Sequence, residues 1–196
     1  MTREGILFVV SGSSGVGKGT INKAVLAKVK DIRLSVSATT RPMRAGEVEG
    51  QDYFFVSPEE FRAKKENDEF LESAHVYSHM YGTPRKYVID NLQKGYDLLL
   101  EIDIQGAAKV KAKMPSGVFI FIQPPSVEVL AQRIHSRGKD TLHSIKTRLA
   151  ACEDEMTMAR YYDYVVVNDD LDEAVFKVQA IIVAERCRVK RLVRSD

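Results

Sequence analysis

Cysteine is scarce in this chain. Only Cys152 and Cys187 occur, too few and too far apart for a disulfide framework or a cysteine-based zinc site, and both read as buried or inert thiols of a reducing compartment. The four histidines, His75, His79, His135 and His143, show no metal-ligand spacing and receive no role. No apolar run approaches the ~20 residues of a membrane span. The apolar stretch Ile6–Val10 is too short for a signal peptide and runs straight into glycines, so a cytoplasmic protein is expected. An excess of either charge is also missing: 29 basic and 27 acidic residues give a net +2, unlike the strongly basic face of a nucleic-acid binder. Repeats and low-complexity linkers are absent as well. What remains is a chain of 196 residues with 44% hydrophobic content, ample for a packed core and suited to one α/β domain with an insertion or two.

The most informative stretch is ILFVVSGSSGVGKGT, residues 6–20. Five apolar residues predict a short buried strand, Ser11 to Lys18 turn the chain, and Gly19-Thr20 open a helix. Strand, glycine loop and helix together make a phosphate-binding loop. Gly12, Gly15 and Gly17 let successive backbone N–H groups converge around Ser13, Ser14 and Val16. The helix then adds its unpaired N–H groups and the positive end of its dipole. Lys18 supplies a mobile point charge. The pattern G-x-x-x-x-G-K-[ST] is met from Gly12 to Lys18 but ends in Gly19, with Thr20 behind it. Thr20 therefore either contacts a phosphate or holds magnesium through water.

Periodicity predicts helix 1 from about Thr20 to Lys30, a strand at 34–37, a strand at 52–56, and a helix capped by Ser57 with Pro58 at its first position. A strand follows at 70–76, then a helix capped at Thr83-Pro84 and stopped by Gly95. Residues 97–103 read as a buried strand ending in carboxylates, followed by a helix at 106–113, a strand at 118–122, and a helix from Ser126 to about Ser136. A second helix from about Leu142 to Ala159, a strand at 164–167 and a helix from about Asp172 to Arg191 close the chain, with the basic residues from Arg186 to Arg194 read as its solvated end. Strands alternating with helices imply a mostly parallel, doubly wound sheet with ligands at the carboxyl ends of its strands. The segment 37–83 breaks the alternation and reads as an inserted α+β subdomain.

The segment from Ser35 to Phe55, SVSATTRPMRAGEVEGQDYFF, resembles guanylate kinase. The resemblance continues in Phe70-Leu71-Glu72, Tyr81-Gly82-Thr83, Glu101-Ile102-Asp103-Ile104-Gln105-Gly106, Pro124-Pro125-Ser126, Arg133 to Gly138, and Val167 to Asp170. It implies ATP-dependent phosphorylation of GMP, and of dGMP, to the diphosphate by in-line transfer, with magnesium, in purine nucleotide metabolism. It also implies a P-loop kinase core (1–36, 84–125 and 157–196), a GMP-binding subdomain (37–83) and a helical lid (126–156).

The same resemblance assigns roles. Arg41 and Arg44, three apart in a polar loop, would clamp the GMP phosphate, a shape that suits the guanidinium fork. Glu47, Tyr53 and Tyr81 belong to the same acceptor site, with Gly82. Glu72 would accept guanine N1–H and the 2-amino group, helped by Ser37 and Thr83. Asp103 would contact the nucleoside and Glu101 the hydration shell of the metal, and alternation puts these two acids on one face. Arg137 and Arg148 of the lid would meet the phosphates, while Arg133, Asn168 and Asp169 would border adenine. Two rivals remain: a kinase of a phosphorylated sugar, which Glu72 and Ser37 argue against, and a module that binds GMP or phosphopeptides without turnover, which Lys18 and the full glycine loop argue against. No obligate protein partner is evident, and self-assembly is left open.

Overall fold

A computed structural model describes residues 3–76, 78–136 and 154–192, with the side chains of 134–136 and 192 outside the description. Five parallel strands form the main sheet: β1 (Leu7–Gly12), β2 (Ile32–Leu34), β7 (Asp97–Glu101), β8 (Val118–Gln123) and β9 (Tyr164–Val167), in the order β2-β7-β1-β8-β9. Alternate residues of β1 face opposite ways, as the two-residue strand period demands. Ile6, Phe8 and Val10 pack with Ile21 and Val25 of α1 (Lys18–Lys28) and with Val175, Val178 and Ile182 of a long C-terminal helix. Leu7 and Val9 pack with Val88 and Leu92 of α3 (Arg85–Gln93) and Ala107 and Val110 of α4 (Ile104–Lys113). Helices thus cover both faces, and the sheet is doubly wound as predicted.

The strand order reverses at β1, between β7 and β8. In a parallel sheet this opens a crevice at the carboxyl ends of the strands. Gly12, Glu101, Gln123 and Asn168 all follow or end strands at that edge.

The expected strand at 34–37 is two strands. β2 belongs to the main sheet, and after Ser35 and Val36 the chain enters a second, four-stranded sheet at β3 (Ser37–Thr39). β4 (Tyr53–Phe55), β5 (Phe70–Val76) and β6 (His79–Pro84) complete that sheet in the order β4-β3-β6-β5. α2 (Pro58–Glu66) lies between β4 and β5 in sequence, with Ser57 Oγ accepting the Glu60 N–H at 3.0 Å, and buries Phe61 in a stack on Phe70. Lysines of α4 tie this sheet to the main one: Lys109 donates to the Ser73 carbonyl at 3.1 Å and Lys113 to the Phe70 carbonyl at 2.7 Å. A cleft of about 830 Å³, lined by Phe54, Val56, Phe70 and Tyr87 among others, lies between β4, α2 and α3.

Three further boundaries differ from expectation. Thr83 caps no helix; it lies inside β6, and Pro84 precedes α3. α4 begins at Ile104 because Asp103 serves as its N-cap, accepting the Gly106 N–H at 2.6 Å. The expected C-terminal helix is split into α6 (Leu171–Arg186), which ends at Cys187, and a short α7 (Val189–Leu192). Between α4 and α6 lie α5 (Val127–Ser136), whose start Ser126 caps, and a 3₁₀ turn at Met158–Tyr161. Cys187 is exposed, not buried. The basic tail is not simply solvated either. Arg186 donates to the fully buried Asp97 at 2.7 Å, Arg3 pairs with the same carboxylate at 2.8 Å, and Arg188 and Arg191 pair with buried Glu185. Most of the segment expected as the lid, including Arg137 and Arg148, lies outside the described residues, as do His143 and Cys152.

Candidate active site

The loop after β1 is shaped by glycines at positive φ. Gly12 has φ +144°, and a Cβ there would stand 2.0 Å from the Ile122 carbonyl oxygen, so only glycine allows β1 to leave β8 at this point. Gly17, at φ +98°, is the N-cap of α1. Lys18 opens the helix and folds back over the loop, donating from Nζ to the Gly12 carbonyl at 2.5 Å and the Ser13 carbonyl at 3.1 Å. Burial pushes its ammonium below the usual lysine value, opposed by the charges of Glu101, Glu155 and Asp103. Glu155, on the return from the lid segment, is a neighbour that the sequence pattern did not reveal. Ser13 is buried with its hydroxyl unpartnered among the described residues, Ser14 and Thr20 are exposed, and Val16 is buried.

The loop is held from behind by Asn168, whose Nδ2 donates to the Val16 carbonyl at 2.7 Å. Arg133 of α5 donates in turn to the carbonyls of Asn168 (2.7 Å) and Asp169 (3.1 Å). The three residues expected around adenine therefore converge beside the phosphate loop, with one amide of Asn168 engaged in positioning that loop.

In the second sheet, the segment between β3 and β4 carries a second cationic centre. Arg41, 8% exposed, is gripped by Glu47 in a fork of 3.0 and 2.6 Å, and donates to the Pro42 carbonyl at 2.7 Å. Glu47 also accepts the Arg44 N–H at 2.7 Å, closing the loop on itself. This hydrogen bonding holds the Glu47 carboxyl below the usual carboxylate range and raises the Arg41 pKa. The rings of Tyr53 and Tyr81 meet edge to face at 5.9 Å, and the Arg41 guanidinium lies 5.4 Å from the Tyr53 ring centre. Burial raises the Tyr53 hydroxyl pKa, while the Arg44 side chain is exposed.

Glu72 is placed by an irregularity. Phe70 pairs with Pro84 and Ser73 with Gly82, so β5 carries one residue more than β6 over this interval, a β-bulge. The bulge breaks alternation, and Phe70, Leu71 and Glu72 are all buried in succession. Glu72, 7% exposed, accepts the Thr83 hydroxyl at 2.7 Å. Burial pushes its carboxyl above the usual range, against the Thr83 hydrogen bond, with the Asp103 charge adding to the rise. A Cβ at Gly106 would stand 3.2 Å from Asp103 Oδ1 and 3.4 Å from Glu72 Oε2, so the two acids meet over this glycine. Gly82 leaves room for the Phe61–Phe70 stack, and Ser37 is half-buried in register with Tyr53.

Glu101 ends β7 against α1, accepting from Asn22 Nδ2 at 2.9 Å. Pattern reading passed over Asn22 because it lies among apolar residues of the first helix. The Tyr162 hydroxyl is buried beside Ser11 of β1, with no hydrogen-bond partner in ordinary geometry among the described residues.

A phosphate loop at the switch point of a doubly wound parallel sheet, with carboxylates near its lysine and a second cationic centre in the adjoining sheet, defines a P-loop phosphotransferase. The chain matches the family described as guanylate kinase over residues 4–185. It is 62% identical to a guanylate kinase of Syntrophomonas wolfei over 98% of either chain, and 56% identical to that of Caldanaerobacter subterraneus over 96% of this chain and 92% of the relative. The crystal structure of guanylate kinase from Anaplasma phagocytophilum superposes with a TM-score of 0.74 at 38% identity, covering 97% of this chain and 90% of that one. The chain belongs to the guanylate kinase family. Among the described residues, no helix is long and apolar enough to cross a membrane.

Proposed function

We infer that the protein transfers the γ-phosphoryl group of ATP to GMP, giving ADP and GDP. The observation that carries the substrate choice is Glu72, buried at a bulge and already bonded to Thr83. A carboxylate there accepts from the adjacent N1–H and 2-amino group of guanine. Adenine, without a donor at N1, would leave that buried charge unpaired, and sites of this kind reject the wrong partner by ~10⁴ or more. A sugar phosphate offers no such edge. Nothing in this reading distinguishes ribose from deoxyribose, so dGMP serves as an acceptor too.

In this reading the second sheet (37–83) is the GMP-binding subdomain, the five-stranded sheet and its helices the core, and 126–156 the lid. Glu47 presents Arg41, and with Arg44, Tyr53 and Tyr81 it would hold the GMP phosphate. ATP phosphates take the loop amides, and Lys18 exchanges the Gly12 and Ser13 carbonyls for phosphate oxygens. An oxygen of the GMP phosphate attacks the γ-phosphorus in line as the bond to the leaving β-phosphate oxygen breaks. The nucleophile is already an oxyanion, so no general base is required, and catalysis is positioning plus cationic stabilisation. Arg137 and Arg148 would supply further positive charge on closure, and Arg133 with Asn168 and Asp169 the adenine border.

The residues fit magnesium carried on nucleotide phosphates. Such an ion keeps several waters and takes only one or two carboxylates, and Glu101 faces the first turn of α1, where the exposed Thr20 follows Gly19. Bound there, magnesium would neutralise charge on the β- and γ-phosphates.

The test is ADP formation with ATP–magnesium and GMP, dGMP, AMP, UMP or ribose 1,5-bisphosphate. Turnover confined to the two guanine nucleotides is expected. Turnover with the sugar alone would overturn the acceptor assignment, and GMP binding without turnover would leave a recognition module.

A further inference from the structure

Where phosphate loops of this type carry Lys-Ser or Lys-Thr, this chain has Lys18-Gly19, so the side-chain hydroxyl that faces a nucleotide-bound cation is missing. The vacated space is faced by a carboxylate. A Cβ at Gly19 would lie 3.7 Å from both oxygens of Glu101, and that carboxylate is held in place by Asn22 Nδ2 at 2.9 Å. Gly19 and Asn22 are three residues apart and share a face of α1. Asn22 is 2% exposed, between the core residues Ile21 and Val25, and its Oδ1 has no hydrogen-bond partner among the described residues. An apolar side chain would suit such a place better, because a buried unpaired amide oxygen is destabilising. Among the described residues, the side chain's one hydrogen bond is to Glu101.

We propose that Asn22 is a positioning residue, which holds the Glu101 carboxylate in the place of the missing hydroxyl to accept hydrogen bonds from the water shell of a divalent cation carried on nucleotide phosphates. Glu101 makes the contact and Asn22 acts through it. The role rests on the reading of the loop as a nucleotide-phosphate site. It makes Gly19 a complement to Glu101: the hydroxyl is absent where the acid reaches in.

The experiment follows Mn²⁺ binding to the protein–ADP complex by electron paramagnetic resonance, alongside ADP binding in EDTA and thermal unfolding. Asn22→Leu removes the hydrogen bond and keeps the volume; Asn22→Ala is a second variant that suits a helix. Both lose about tenfold in Mn²⁺ affinity while metal-free ADP affinity stays within about twofold. Glu101→Gln gives the same loss, and adding Asn22→Leu to it changes nothing more. A lowered melting temperature with unchanged Mn²⁺ affinity in either folded variant would overturn the proposal, as would losses that add fully. Wild-type protein that fails to bind ADP at all would overturn the functional reading instead.

Discussion

Glu72 carries a tension between stability and function that a single substitution exposes. An ionised carboxylate in a buried place weakens the free fold, and burial holds its pKa above the usual range. The sign follows: Glu72 destabilises the unliganded protein above its folded pKa, and protonation relieves this as pH falls. Accepting two guanine donors requires the ionised form. Glu72→Gln therefore raises the melting temperature of the free protein and lowers kcat/KM for GMP on the order of 10³-fold. In the wild type, kcat/KM for GMP falls on the acid side with a midpoint above that of an ordinary glutamate; a midpoint at the ordinary value would remove Glu72 from guanine recognition. Lys18→Met is expected to cost about 10³-fold in kcat with GMP affinity retained, measured by single-turnover transfer and by calorimetry. Glu47→Gln releases Arg41 from its fork and raises the KM for GMP about tenfold. An unchanged KM would assign Glu47 to loop folding alone.

The elements place these groups through departures from regularity. The bulge in β5 re-aims Glu72 from an edge strand into the crevice, and the sharp exit of β1 at Gly12 starts the phosphate loop. Two glycines of one loop then predict opposite outcomes. Gly12→Ala drives a Cβ into backbone at a positive φ and destabilises by about 3 kcal/mol in urea unfolding, or prevents folding. Gly19→Ala meets only ordinary contact with Glu101 in a helical turn, and changes stability by no more than about 1 kcal/mol, in the stabilising direction. Equal losses in both would mean that the loop is held by something other than the approach of β1 to β8.

At the scale of the molecule, one buried carboxylate ties together distant parts of the chain. Asp97, at the start of β7, accepts from Arg3, from the Ile6 N–H and from Arg186 at the end of α6. It lies at the amino ends of the strands, opposite the crevice, so its effect belongs to stability. Asp97→Ala leaves two guanidinium groups without their shared partner and is expected to lower stability by about 3–5 kcal/mol in denaturant unfolding, with KM for both nucleotides unchanged. Attachment of the second sheet depends on α4, through Lys109 and Lys113 at the β5 edge. A cleft separates that sheet from α3.

Much of this was legible from local pattern. The apolar run before the glycines, the Ser57 and Ser126 caps, the strand at 70–76 and the alternation of strands with helices all depend on neighbours within a turn or two, and the parallel sheet follows from them. The resemblance in Ser35–Phe55 and Glu101–Gly106 named the residues proposed for the acceptor and metal sites. What local pattern could not contain is how side chains from distant segments meet. An alternating strand predicts Glu72 on a surface face, and only the mismatch of β5 with β6 buries it. Asn22 carries no signal in local pattern, and its contact exists only because β7 brings Glu101 to it. Asn168 is expected only at the adenine border, and β9 delivers its amide behind Val16; Arg186 reads as solvated until α6 returns to Asp97. The sequence by itself determined the elements and the phosphate loop, because propensities, caps and hydrophobic period act over a few residues. The tertiary structure alone decided which polar groups are buried and which partner each one has, because burial and hydrogen-bond geometry arise only when segments dozens of residues apart are packed together.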